Sequence, residues 1–254
     1  MTSITQPRVV YINRDCDSER RSSIEKILDE LQLTPERLCA VEGSQVSPEI
    51  AQNWCCKPSE MGCAMSHLSV YQQSMTLDPE GWTLVFEDDI STTQTAESMR
   101  THLLELEKLR QTDNFDVVYL GKCHEICTNL QPVGESRIFY WARHPFCLHA
   151  YMFRNGIASM LLEEGQGKVA DDTIPRLIEE GKIRCAVAHP GLYYQSPHVF
   201  GSGLQDDKYN WIGSVDCKEM SDVVVKKTLS RTSVVLTIVI IIVIFLLLGY
   251  FLLK

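Results

Sequence analysis

The chain has 254 residues, a formal net charge of −9 and a hydrophobic fraction of 44%. That length allows one large domain or two small ones, with a sizeable core. The acidic balance and the lack of a broad basic face argue against a nucleic-acid binder.

Ten cysteines raise the question of disulfides. The segment Met1–Arg8 has no apolar stretch of a secretory signal, and no Asn-x-Ser/Thr acceptor occurs. The cysteines are therefore expected to be mostly reduced core residues.

Arg8 to Asn13 is β-branched and aromatic and reads as a first strand. A charged loop, Arg14 to Arg21, leads into a helix on which Ile24, Ile27, Leu28 and Leu31 recur at helical spacing. Leu38 to Val41 fits a second strand, ending at Glu42-Gly43. Pro58-Ser59-Glu60 opens the next helix with Ser59 as its expected cap, and Glu60, Cys63, Ala64, His67 and Tyr71 share one face.

Gly81 to Asp89 follows: a turn residue, an apolar run, then the acidic triplet Glu87-Asp88-Asp89. Carboxylates at the end of a buried strand are costly unless compensated. In open α/β sheets ligands bind at the carboxyl ends of strands. If the chain stays extended, Glu87 and Asp89 face one side and Asp88 the other. The triplet is thus a candidate clamp for Mn²⁺ or Mg²⁺ on a diphosphate. Read blandly, it is a solvated strand exit.

Glu97 to Arg110 is an amphipathic helix and Phe115 to Gly121 another strand. Residues 122–138 read as loop. Leu148 to Phe153 fits a strand, Gly156 to Glu164 a helix, and Asp171-Asp172-Thr173-Ile174-Pro175 precedes a helix through Glu180. Arg184 to Ala188 is the last expected strand. Alternating strands and helices give an α/β class with a mainly parallel sheet.

The C-terminal part differs in kind. Residues 201–232 are rich in Gly, Asp and Lys and read as a linker. Val234 to Leu253 carries no charge over twenty residues, the length of a bilayer span, so 233–254 is expected to be a transmembrane anchor. Lys226, Lys227 and Arg231 precede it and Lys254 follows. The positive-inside rule then predicts a single-pass membrane protein with its large domain, residues 1–200, facing the cytosol.

Cys55, Cys56, Cys63 and His67 could be drawn as a zinc site, but the adjacent Cys-Cys does not match common knuckle spacing, and core packing is the expected role. No Gly-rich phosphate loop, Gly-x-Ser-x-Gly or His-Glu-x-x-His occurs. The haloacid-dehalogenase type of phosphatase is disfavoured, because its nucleophilic Asp position is Glu87 here.

Taken together, these motifs resemble glycosyltransferase family 25, which includes bacterial lipooligosaccharide and procollagen galactosyltransferases. Ile12, Asn13, Asp15, Glu19, Arg20 and Arg21 match its opening Ile-Asn-Leu-Asp-Arg-Arg-Pro-Glu-Arg-Arg, while Arg14, Cys16, Asp17 and Ser18 depart from it. Ala40 to Gly43 is similar to Ala-Val-Asp-Gly, and Glu60 to His67 to Glu-Ile-Gly-Cys-x-x-Ser-His. Leu84 to Ile90, Asp116 to Gly121, Ala150 to Gly156, Ala170 to Pro175 and Gln195-Ser196 resemble further segments in order.

The resemblance implies a GT-A nucleotide-sugar-binding domain and an inverting transfer from a UDP-sugar, most often UDP-galactose. The acceptor would be a hydroxyl on a protein or glycan. Glu87 and Asp89 would hold the metal, with Asp88 beside them and His198 as a further ligand. Asn13 and Glu42 would line the nucleoside pocket. His67 and Glu60 would support the metal shell or simply pack their helix. Asp171, then Asp172, is the expected general base. The opposing reading is a non-catalytic membrane-anchored binding or structural protein on a degenerate scaffold.

Overall fold

The structure, a computed structural model, describes residues 7–54 and 56–195 and the backbone of 217–218. The expected linker, the transmembrane segment, Cys55 and His198 lie outside the described residues. Among the described residues, no helix is long and apolar enough to cross a membrane.

Among the described residues, eleven strands and six α-helices follow in chain order. They are β1 (Arg8–Asn13), α1 (Ser18–Glu30), β2 (Pro35–Cys39), α2 (Pro48–Ala51), α3 (Pro58–Ser74), β3 (Trp82–Glu87), β4 (Ile90–Thr92), α4 (Ala96–Thr112) and β5 (Val117–Tyr119). After them come β6 (His124–Glu125), β7 (Phe139–Trp141), β8 (Ala150–Arg154), α5 (Ala158–Gly165), α6 (Ala170–Glu179), β9 (Cys185–Ala188), β10 (Tyr193–Gln195) and β11 (Cys217–Lys218).

The central sheet has seven strands in the order β2-β1-β3-β8-β5-β9-β7. The pairs β1–β2, β1–β3 and β5–β9 are parallel. β8 runs antiparallel between β3 and β5, and β7 antiparallel on β9. The sheet is therefore largely parallel, as expected, with two reversed strands. Two small antiparallel pairs, β4–β10 and β6–β11, lie outside it.

Strand alternation sends side chains to both faces. Val9, Tyr11, Leu84, Phe86 and Val118 pack with Ile24 and Leu28 of α1 and with Met99 and Leu106 of α4. Val10, Ile12, Val85, Val117 and Tyr119 pack with Leu68 and Tyr71 of α3, Leu161 of α5 and Leu177 of α6. The result is a three-layer α/β/α domain. Because both faces are covered, the strands read as continuous apolar runs.

Several boundaries differ from expectation. Lys57, not Ser59, caps α3: Pro58 takes the first helical turn, where its missing N–H costs nothing, and the Glu60 carboxylate accepts from the Lys57 backbone N–H at 2.9 Å. α6 begins at Ala170, so Asp171 and Asp172 lie inside its first turn, where the helix dipole favours acids. β6, β4 and β10 are too short for any periodic signal, and β6 falls within residues read as loop.

The cysteines are also corrected. Cys123 and Cys147 form a disulfide, and Cys127 is disulfide-bonded as well. Cys16 and Cys39 are exposed rather than core, while Cys185 is buried on β9. Spacing alone could not pair residues 24 apart across two loops.

Candidate active site

The carboxyl ends of β1, β2 and β3, the start of α3 and the end of β10 enclose a cavity of about 570 Å³. Asn13, Arg20, Glu42, Lys57, Cys63, His67, Glu87, Asp88, Asp89 and Gln195 are among the residues on its wall. Its volume is that of a small-ligand site.

Two glycines let the walls approach. A Cβ on Gly43 would collide with the Pro58 carbonyl oxygen, and one on Gly62 would meet the Val41 oxygen at 2.5 Å. Ser66 ties the same elements, accepting from the Val41 N–H at 2.8 Å and donating to the Gly62 carbonyl at 2.7 Å. The Ala-Val-Glu-Gly and Gly-Cys-x-x-Ser-His segments thus close one joint, which brings α3 against the end of β2.

The acidic triplet does not stay extended. β3 ends at Glu87, and Asp88 and Asp89 turn away from the strand. Each carboxylate has its own surroundings. Asp88 accepts from Asn13 Nδ2 at 2.7 Å and from Arg20 Nη1 at 2.9 Å. Burial pushes its pKa up, and those two bonds only partly counter this. Asn13 is itself buried and accepts from Arg37 Nε at 3.1 Å, so it positions Asp88 rather than offering a free edge to a ligand.

Asp89 is buried and its Oδ1 has no hydrogen-bond partner. Arg20 Nη1 lies 4.0 Å from its other oxygen. Burial, and then the charge of Glu87, push its pKa up to about 7. A buried carboxylate oxygen left unpaired is costly and signals a missing counter-group.

Glu87 sits between α3 and β10. Its Oε1 is 3.2 Å from His67 Nε2 and 3.7 Å from Cys63 Sγ, while Oε2 accepts from Gln195 Nε2 at 3.2 Å. Burial opposes its ionisation, but the bond to and charge of His67, with His149 and Gln195, hold its pKa below the usual range. Behind His67, Nδ1 lies 3.0 Å from the Tyr151 hydroxyl, which donates to the Tyr71 hydroxyl at 3.1 Å. Burial first, then Glu87 and Asp171, raise the Cys63 thiol well above its ordinary value.

Asp171 is half-buried at the start of α6 and feels the charges of both Glu87 and His67. Burial, followed by Glu87, pushes its pKa up to about 7. Asp172 is exposed, with Glu60 and His144 as its charged neighbours. Neither lines the cavity wall. Glu42 does, 3.8 Å from Arg14 Nε.

The fold thus brings Asn13, Glu42, Glu87, Asp88 and Asp89 together, with Asp171 within electrostatic reach. Of Cys63 and His67, the sequence places only His67 near the acidic site; it does not show that Cys63 joins it on the same Glu87 oxygen, nor the Tyr71–Tyr151 chain behind them. The i, i+4 spacing of Cys63 and His67 on one helix face was the available signal.

The chain is thus an α/β protein with a cavity lined by carboxylates at the ends of its strands. The sequence profile of glycosyltransferase family 25 (LPS biosynthesis protein) matches residues 7–174, and the chain belongs to that family. No curated protein matches the chain. Among solved structures it is similar to A197 from STIV, at 9% identity and a TM-score of 0.38, over 71% of this chain and 81% of that one. A likeness this weak carries no argument.

Proposed function

We propose that this chain transfers a hexose, galactose foremost, from a UDP-sugar to a hydroxyl of a protein or glycan, with inversion, on a GT-A-type domain. One observation carries the reading: the buried, unpartnered Asp89 oxygen beside Glu87 on the cavity wall. That pair fits a divalent cation, Mn²⁺ or Mg²⁺, held by Glu87 and Asp89. When bound, the cation supplies charge that offsets the developing diphosphate leaving group.

The chain's own residues do the rest. Arg20 and Asn13 fix Asp88, so it keeps one orientation at the cavity edge. Glu42, Arg14 and Lys57 present polar groups to the nucleotide. Asp171, with a pKa near neutrality, takes the proton of the acceptor hydroxyl; Asp172 is the second choice. His198 as a further ligand is part of the proposal and lies outside the described residues.

The membrane anchor at 233–254 and its cytosol-facing domain belong to the same proposal. The Cys123–Cys147 disulfide favours the other orientation, because disulfides persist in oxidising compartments.

The test is hydrolysis of a panel of UDP-sugars with and without Mn²⁺. Metal-dependent release of UDP from one sugar is the expected result. No release from any sugar, with the domain folded, favours the non-catalytic scaffold.

A further inference from the structure

Cys63 and His67 stand one helical turn apart on α3, and both reach the same oxygen of Glu87. The three donor atoms lie within 4.8 Å of one another. All three residues are on the cavity wall. Tetrahedral zinc bonds of about 2.0–2.3 Å put sulfur and oxygen ligands about 3.6 Å apart, and nitrogen and oxygen ligands about 3.4 Å apart. The observed separations are 3.7 Å and 3.2 Å.

The ring is also held from behind. His67 Nδ1 lies 3.0 Å from the Tyr151 hydroxyl, which is bonded to the Tyr71 hydroxyl at 3.1 Å. That leaves Nε2 as the ring nitrogen facing Glu87, at 3.2 Å. A histidine whose far nitrogen is fixed by an outer partner is the usual arrangement of a metal ligand.

We propose that Cys63, His67 and Glu87 form a site for a thiophilic divalent cation, Zn²⁺ foremost, on the cavity wall. Thiolate and imidazole select Zn²⁺, whereas Mg²⁺ and Mn²⁺ favour all-oxygen sets. The three ligands leave a fourth position open to the cavity. As the sulfur–metal bond forms, the Cys63 proton passes to solvent, and no oxidation occurs. The soft site shares Glu87 with the hard-cation pair Glu87–Asp89. Occupation by Zn²⁺ therefore excludes the hard cation from Glu87; this consequence rests on the proposed function, whereas the soft site itself does not.

The experiment is titration of the full chain with Co²⁺ in place of Zn²⁺. The expected result is a thiolate-to-cobalt charge-transfer band in the near ultraviolet, with tetrahedral bands in the visible, displaced by Zn²⁺ and not by Mg²⁺. Cys63→Ser should lose the near-ultraviolet band, while Cys185→Ser on β9 should keep it, both folded by circular dichroism. Absence of the band in the parent chain, or its survival in Cys63→Ser, overturns the site. If Cys63→Ser does not fold, alkylation of Cys63 in the parent chain, mapped by mass spectrometry, replaces it. Zn²⁺ should slow that alkylation at least tenfold, and equal rates overturn the proposal. Failure of UDP-sugar hydrolysis moves none of these readouts.

Discussion

The Tyr151 hydroxyl lies 3.0 Å from Nδ1 of His67, on the side of the imidazole away from Glu87. It joins β8 to α3 through the centre of the core, since both residues are buried. Tyr151→Phe removes that oxygen and leaves the ring nitrogen without its partner. An orphaned buried polar group costs about 1–3 kcal/mol. Urea denaturation should show the loss, with an unchanged slope. Losing the outer partner of a metal-ligating histidine weakens metal binding about 10- to 100-fold, so the cobalt affinity should fall by that factor. A folded Tyr151→Phe chain with undiminished cobalt affinity counts against Tyr151 as the partner that holds a metal-ligating ring.

Asp89 makes stability depend on pH in an unusual direction. Its pKa rises from the ordinary carboxylate value of 3.8 to about 7 in the folded chain. A carboxyl raised in this way binds its proton more tightly when folded. Its contribution is complete below the unfolded value and is lost as pH climbs to about 7. The metal-free domain should thus weaken from about pH 4 to about pH 7, and Mn²⁺ should restore it. Asp89→Asn should reduce the slope, leaving the part that Asp171 contributes, and gain on the order of 2 kcal/mol at pH 8. It should also abolish metal-dependent UDP release. Denaturation at several pH values, with and without Mn²⁺, checks both.

Gly62 and Gly181 separate two meanings of glycine. At Gly62 a Cβ would press on the Val41 oxygen at 2.5 Å and the Gly43 nitrogen at 2.8 Å, all backbone. At Gly181 nothing lies within 4 Å, but φ is +66°. Gly62→Ala should cost about 1–3 kcal/mol through overpacking and should spread the cavity wall. Gly181→Ala should cost about 1 kcal/mol through backbone strain alone. Paired denaturation curves, with UDP-sugar binding to each variant, distinguish them: only Gly62→Ala should lose binding.

The sheet was legible because its strands are covered on both faces. Arg8–Asn13 and Trp82–Glu87 read as unbroken apolar runs, and their boundaries hold within a residue or two. The amphipathic helices α1 and α4 were legible for the same reason: one apolar face each. The short strands β4, β6 and β10 were not, since two or three residues carry no period. In the site, Glu87 and Asp89 could be picked out because carboxylates end an apolar strand. Their unequal fates could not. Arg20 comes from α1 and Asn13 from β1, and nothing local tells that both close on Asp88 rather than on its neighbours. The disulfide was missed because compartment was inferred from the N-terminal segment, while the pairing is set by two loops meeting at β6 and β8.

That disulfide offers a direct measurement of compartment. In the intact chain Cys123 and Cys147 should resist alkylation until a reductant is added, whereas the exposed Cys16 and Cys39 should react at once. Applied to membranes from expressing cells and combined with protease protection in sealed vesicles, this separates the two orientations. Protection of the domain together with blocked Cys123 and Cys147 places it on the oxidising side. Digestion together with free thiols at both positions places it in the cytosol.

Asp171 supplies the sharpest test of the proposed chemistry. It stands at the first turn of α6, close enough to Glu87 to be raised to about 7 by burial and by that charge. A base must be ionised to take the acceptor proton. Its active fraction therefore grows as pH rises through about 7, and the rate should climb and then level off. A cation on Glu87 adds positive charge nearby and moves the midpoint downward, so the observed value should lie at or below 7 in metal. Asp171→Asn should cut kcat by about 10²- to 10⁴-fold and erase the rising limb, because general-base assistance is of that size. It should leave UDP-sugar binding intact, since Asp171 does not line the cavity wall. If Asp172→Asn erases the limb instead, the exposed residue is the base, and the raised pKa of Asp171 reflects only its half-buried place beside Glu87.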